Sequence, residues 1–135
     1  MPTDQWNFAD VWEVVADTRP NAPATIQGER RNTWAEHDRR ADGVAQALLD
    51  AGVVQQDKVA QYLYNCPEYL ESVFATMKAG LVPVNTNYRY GNDELVYLWD
   101  NADAVAVMFH GAFTERIEAV RSRVPTVRLR QSSSE

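Results

Sequence analysis

The sequence predicts an α/β fold, a doubly wound three-layer domain on a mostly parallel sheet, and three observations carry that expectation. From Asp57 onward, short apolar runs alternate with helical stretches, the signature of βαβ units. Two of those runs, Val59 to Tyr64 and Ala104 to Phe109, lack polar alternation, as strands covered on both sheet faces do. The length of 135 residues suits one domain, large enough to bury roughly two thirds of its unfolded surface.

Phe8, Val11, Trp12 and Val15 recur at spacings of three and four, which predicts an amphipathic helix over Asn7–Asp17 with those side chains on one face. Pro20 and Pro23 lack the amide donors a helix interior requires, so the helix stops before them. Ala24–Ile26 and Arg30–Asn32 flank Gln27-Gly28-Glu29 as a short hairpin. Thr33-Trp34-Ala35-Glu36 has the form of a capping box, in which a hydroxyl and a carboxylate each satisfy an orphan amide. The helix it opens carries Trp34, Ala41, Val44, Ala45, Leu48 and Leu49 at helical period and closes at Gly52. Strands are predicted at Val59–Tyr64, Val82–Asn85, Val105–Phe109 and Thr126–Leu129. Helices are predicted near Pro67–Ala79, Asp93–Asn101 and Ala112–Arg123, with Pro67 in a first turn and Gly80 at a helix end. Right-handed crossovers then place helices on the sheet faces. Residues 131–135 contain no apolar anchor and are expected to form a disordered tail after a folded unit of residues 1–130.

Composition narrows function. A net charge of -6 disfavours nucleic acid and anionic membrane, which require a clustered positive field. The basic cluster Arg30, Arg31, Arg39, Arg40 is interrupted by Glu36 and Asp38 and reads as a solvated face. Cys66 is the single cysteine, so no intrachain disulfide forms, and a reducing cytoplasm is the expected location. No run approaches the ~20 apolar residues of a membrane span, and the N-terminus lacks the form of an export signal.

Chemistry-bearing motifs are sparse. The six glycines are isolated from one another, and neither Lys58 nor Lys78 follows a glycine-rich loop, so no phosphate cradle is drawn from them. His37, inside a helix, reads as a partly exposed surface residue; His110, at a strand's carboxyl end, reads as a turn or cap residue. No metal site is expected from two distant histidines. Cys66 opens a helix whose dipole would lower a thiol pKa, but no base accompanies it and it reads as inert. Trp6, Trp12, Trp34 and Trp99 are expected to fill a core or an inter-subdomain surface. Asn85-Thr86-Asn87-Tyr88-Arg89-Tyr90 leaves the carboxyl end of a strand and packs two phenols around a guanidinium. Asn85, Tyr88 and Arg89 are therefore the candidate substrate-binding residues, set against a structural turn in which Arg89 bonds backbone carbonyls.

Met77-Lys78-Ala79-Gly80-Leu81-Val82-Pro83-Val84-Asn85 resembles a core motif of adenylate-forming (AMP-binding) enzymes, a helix end followed by a sheet strand. Thr33-Trp34-Ala35-Glu36-His37-Asp38 looks like an earlier motif of the same superfamily, with Trp for Tyr and His for Leu. Asn65-Cys66-Pro67-Glu68-Tyr69-Leu70-Glu71, Asn85 to Tyr90 and Glu94-Leu95 are similar to the fatty-acid and acyl-CoA synthetase branch, as are Ala51-Gly52-Val53 and Asp57-Lys58-Val59-Ala60. The likeness covers about residues 7–129 and implies the N-terminal part of an acyl-CoA ligase, an incomplete N-terminal subdomain.

What the resemblance implies is a two-step reaction, in which ATP and a carboxylate yield an acyl-adenylate and CoA then takes the acyl group. The phosphate loop, its lysine, the magnesium-binding acid and the ribose-holding aspartate of such enzymes find no counterpart in these residues. No catalytic residue and no cofactor is therefore assigned to this chain; ATP, magnesium and CoA are implied for the complete enzyme, and the expected partner is the remainder of the ligase polypeptide or a companion chain. The alternatives are a non-enzymatic binding or interaction module with a Rossmann-like fold, and a stand-alone flavodoxin-like or receiver-like domain.

Overall fold

The computed structural model describes residues 6–133. Helix α1 spans Phe8–Thr18, a hairpin joins β1 (Pro23–Gln27) to β2 (Arg30–Thr33), and α2 runs Trp34–Asp50. There follow β3 (Lys58–Tyr62), α3 (Pro67–Lys78), β4 (Val82–Asn85), α4 (Asn92–Asn101) and β5 (Ala104–His110). Helix α5 (Thr114–Val120) sits between two short 3-10 turns and leads to β6 (Leu129–Ser133). The hairpin is antiparallel, while the main sheet is entirely parallel in the order β4-β3-β5-β6.

The three layers follow from which side chains point where. Ala60, Tyr62, Val107 and Phe109 project to one face, where they join Leu95 and Trp99 of α4 and Ile117 and Val120 of α5. Val59, Ala106 and Met108 project to the other, against Leu48 of α2, Val53 and Leu81. Both faces of the central strands are thus covered, which explains why their sequences do not alternate. On the α2 side, α1 adds an outer layer, packing Ala9 against Ala41, Ala45, Phe74 and Ala75.

Local rules set the helix ends. At Thr33 both halves of the capping box form: Glu36 N–H donates to Thr33 Oγ1 at 3.2 Å, and Thr33 N–H donates to Glu36 Oε2 at 2.9 Å. Helix α3 ends in a left-handed Gly80 (φ 76°), with Leu81 N–H on Thr76 O at 2.9 Å and Gly80 N–H on Met77 O at 3.1 Å. Gly52 (φ 87°) closes α2 in the same way, through Val53 N–H on Leu48 O. In both cases the chain reverses directly into the next apolar layer.

Several expectations are corrected. The buried side of α1 is Ala9 and Ala16 with Trp12 at its margin, whereas Phe8 (70% exposed), Val11 and Val14 face outward. Small residues win that face because α1 packs closely on α3, with the Trp12 and Phe74 ring centres 5.2 Å apart. Of the two roles expected for the tryptophans, a core or an inter-subdomain surface, Trp6 does not take the first: it is 72% exposed. The last strand lies at Leu129–Ser133 rather than Thr126–Leu129: Val127 turns inward to the core, and beyond Arg128 the five residues Leu129–Ser133 pair with Ala106–His110. Residues 131–133 are therefore part of the sheet and not a disordered tail, since the ladder with β5 supplies the anchor their side chains lack; residues 134–135 lie outside the described region.

Candidate functional site at the carboxyl ends of the strands

In an open parallel sheet, ligands bind outside the carboxyl ends of strands where the strand order reverses. Here β3 is followed by β4 on one side and, after the return crossing, by β5 on the other, so the reversal falls between β3 and β5. Beyond that point stand Tyr64, two residues past β3, and His110, the last residue of β5, whose rings lie 5.1 Å apart. Phe113 stands 4.8 Å from Tyr64 and stacks on Tyr62 at 4.4 Å, and Tyr88 closes the group 5.4 Å from Tyr64. The result is an aromatic ledge at the crevice mouth. Tyr64 remains 39% exposed, so this apolar surface is open to solvent.

The loop after β4 is held in place from beneath. Thr86 is buried, and its Oγ1 accepts from Trp99 Nε1–H at 3.1 Å. Asn87 Oδ1 accepts the Arg89 N–H at 2.9 Å, an Asx-type turn. Tyr62 OH donates to Tyr90 O at 3.0 Å and accepts from Arg116, whose Nη1 also reaches Tyr90 O at 2.9 Å. The hydrogen bond and charge interaction with Tyr62 raise the Arg116 pKa further, so this guanidinium stays a donor throughout the ordinary pH range.

Of the sequence candidates, the structure gathers the half-buried Tyr88 and the exposed Arg89 on the rim of this loop. Arg89 Nε donates to Tyr88 OH at 3.2 Å, and its guanidinium lies 5.5 Å from the Tyr88 ring centre. No carboxylate pairs with Arg89 among the described residues. Asn85 stands apart: its Oδ1 accepts from Tyr69 OH, a phenol that burial holds above its usual pKa. The backbone-bonding role weighed for Arg89 belongs instead to Arg116, which sequence reading missed because its partners lie 54 and 26 residues away. The one available signal was a long cation, one turn into a helix, opposite a Tyr-rich strand end.

Other expected residues have settled roles. His110 Nδ1 accepts from Ala112 N–H at 3.0 Å and caps the following turn. Burial pushes the Cys66 thiol upward, outweighing the helix dipole considered for it. His37 is buried, not partly exposed, because Trp12, Trp34 and Phe74 enclose its ring. Arg30 and Arg40 are ion-pair partners of the buried Glu68 and Glu71, each at 2.6 Å. Burial pushes Glu68 up, but hydrogen bonds from Arg30, its own backbone and Cys66 hold its carboxyl below the usual range. Gly28, Gly52 and Gly80 serve three separate turns, so their amides do not converge on a common anion. Among the described residues, no group of three His, Cys, Asp or Glu is placed to hold a metal, and no helix is long and apolar enough to cross a membrane.

A three-layer unit on a parallel sheet whose strand order reverses belongs to the open, doubly wound class of α/β domains. The AMP-binding enzyme family matches residues 12–134, and this chain belongs to that family. The medium/long-chain-fatty-acid–CoA/3-oxocholest-4-en-26-oate–CoA ligase of Mycobacterium tuberculosis is 37% identical over 122 residues, which is 90% of this chain and 22% of that protein. The medium-chain acyl-CoA ligase Mig of Mycobacterium avium is 30% identical over 94% of this chain and 26% of its own length. The chain thus spans about a fifth to a quarter of the curated relatives it matches. Among solved structures, the anthranilate CoA ligase AuaEII superposes with a TM-score of 0.90 at 24% identity, over 95% of this chain and 25% of its own. The N-terminal domain of FACL13 from Mycobacterium tuberculosis does so at 0.89 and 22% identity, over 96% of this chain and 34% of that one. At such identities the superpositions establish the fold alone.

Proposed function

We propose that this chain forms the N-terminal part of an ATP-dependent, AMP-forming acyl-CoA ligase of the fatty-acid branch, and that it does not activate a carboxylate by itself. The observation that supports this reading most directly is the match of residues 12–134 to the AMP-binding family, in a chain that covers 22% of a fatty-acid–CoA ligase. In the complete enzyme, ATP, magnesium and CoA supply adenylation and thioester formation. Activating the carboxylate requires positive charge and amide donors preorganised around phosphorus. The turn glycines and the ion-paired Arg30 and Arg40 do not fit a triphosphate.

The role left to these residues is scaffolding and the shaping of one crevice wall. Tyr88 and Arg89 are the proposed substrate contacts on that wall, supported by the exposure of Arg89 and the lack of a carboxylate partner for it among the described residues. Asn85 contributes through its bond to Tyr69 and the direction that bond gives to the strand end. The partner of this chain is the remainder of the ligase polypeptide, and a reducing, cytoplasmic setting belongs to the same reading. ATP–pyrophosphate exchange with a panel of fatty acids tests it. The isolated 135-residue chain is expected to show no exchange above buffer; carboxylate-dependent exchange by this chain alone would sink the reading.

A further inference from the structure

We propose that His37 is a pH-sensitive latch, which holds α1 on the domain only while its imidazole ring is uncharged. His37 is 2% exposed and lies where α1, α2 and α3 meet. Its ring centre is 6.0 Å from Trp12 of α1, 5.6 Å from Trp34 of α2 and 5.1 Å from Phe74 of α3. Its Nδ1 is buried and finds no hydrogen-bond partner among the described residues. A neutral ring tolerates that, because an unprotonated imidazole nitrogen can stand as an unused acceptor. A protonated Nδ1 would instead be a buried charged donor with no acceptor, which costs far more.

The charged neighbours do not rescue it. From α2 the ring meets Asp38, which favours the cation, and Arg40, which opposes it; from α3 it meets Lys78, which opposes it. Asp38 and Asp42 are already committed to Lys78 Nζ, as is Glu13 of α1 at 3.3 Å. Attraction between an imidazolium and the surrounding aromatic faces offsets only part of that cost. Loss of hydration is the larger effect, and burial accordingly lowers the His37 pKa.

The sign follows directly. A histidine whose folded pKa lies below its unfolded value contributes stability that is complete above about pH 6.5 and is lost as pH falls through the folded value. Acid strain is relieved at the weakest wall of the cage, and that wall is α1. It packs mainly on α2 and α3 rather than on the sheet, and its ties among the described residues include Asn7 Nδ2–H to Met77 O at 3.1 Å and the Glu13–Lys78 pair. Helix α2 is instead anchored to the parallel sheet through Leu48, and α3 through Thr76, whose hydroxyl accepts from the buried Gln61 of β3 at 3.1 Å.

Hydrogen exchange at pH values from about 7.5 to about 5, a window above ordinary carboxylate titration, tests the latch. After correction for intrinsic rates, residues 8–18 are expected to lose protection severalfold on acidification while β3 and β5 keep theirs. His37→Phe and His37→Gln are each expected to abolish the acid response whatever their basal stability. His110→Asn, which alters the other histidine and keeps a cap acceptor, is expected to retain it. Unchanged α1 protection across the window, an acid response surviving in both His37 variants, or loss of protection spread equally over the sheet would overturn the proposal.

Discussion

Trp99 shows how a single residue can serve core and loop together. Its ring is buried beside Tyr62, 5.8 Å between centres, and its indole N–H holds Thr86 beneath the loop that carries Tyr88 and Arg89. Trp99→Phe removes volume and leaves Thr86 Oγ1 without its donor, so a loss of about 2–4 kcal/mol is expected in urea unfolding. Trp6→Ala in the same measurement should stay within about 0.5 kcal/mol, because that ring is 72% exposed. Composition alone could not separate these two tryptophans; periodicity placed only Trp99 in a helix packed on the sheet. His37 was misjudged for a related reason. Its own helix marks it as polar, and the rings that bury it come largely from positions 12 and 74.

At the level of elements, the most legible features were those written in local code. The capping box at Thr33, the proline opening α3 and the glycines ending α2 and α3 all stand where spacing placed them. Thr33→Ala is expected to cost about 1 kcal/mol, read from the denaturation midpoint, with no change in the slope of the transition. Strand β4 matches its predicted range, Val82–Asn85, because a glycine turn bounds one end and the Asn-rich loop the other. The buried face of α1 and the position of β6 were not legible. Helical period singled out the face of Phe8, Val11, Trp12 and Val15, and only the closeness of α3 selected the neighbouring face built from alanine. For β6, strand propensity favoured Thr126-Val127, yet the ladder of β5 was satisfied by the polar Leu129–Ser133.

For the molecule as a whole, the sheet has two unlike edges. Edge strand β4 carries Pro83, which removes a ladder donor, whereas β6 presents Leu129 to Ser133 without proline. An edge of the second kind recruits further strands, so sedimentation of the isolated chain is expected to show concentration-dependent association. Gln131→Lys should reduce it, since Gln131 is exposed and a charge there disfavours pairing; a wild-type chain that stays monomeric up to high concentration would count against an open edge.

The alternation of strand and helix, the caps and the turn glycines determined the α/β class and family resemblance, because each acts over a few neighbouring residues. Tertiary structure alone decided which rings enclose His37, that Arg116 rather than Arg89 clamps the loop, and that a serine-rich segment completes the sheet. Those outcomes depend on groups brought together from distant parts of the chain, where burial and the need to pair every backbone amide outweigh local preference.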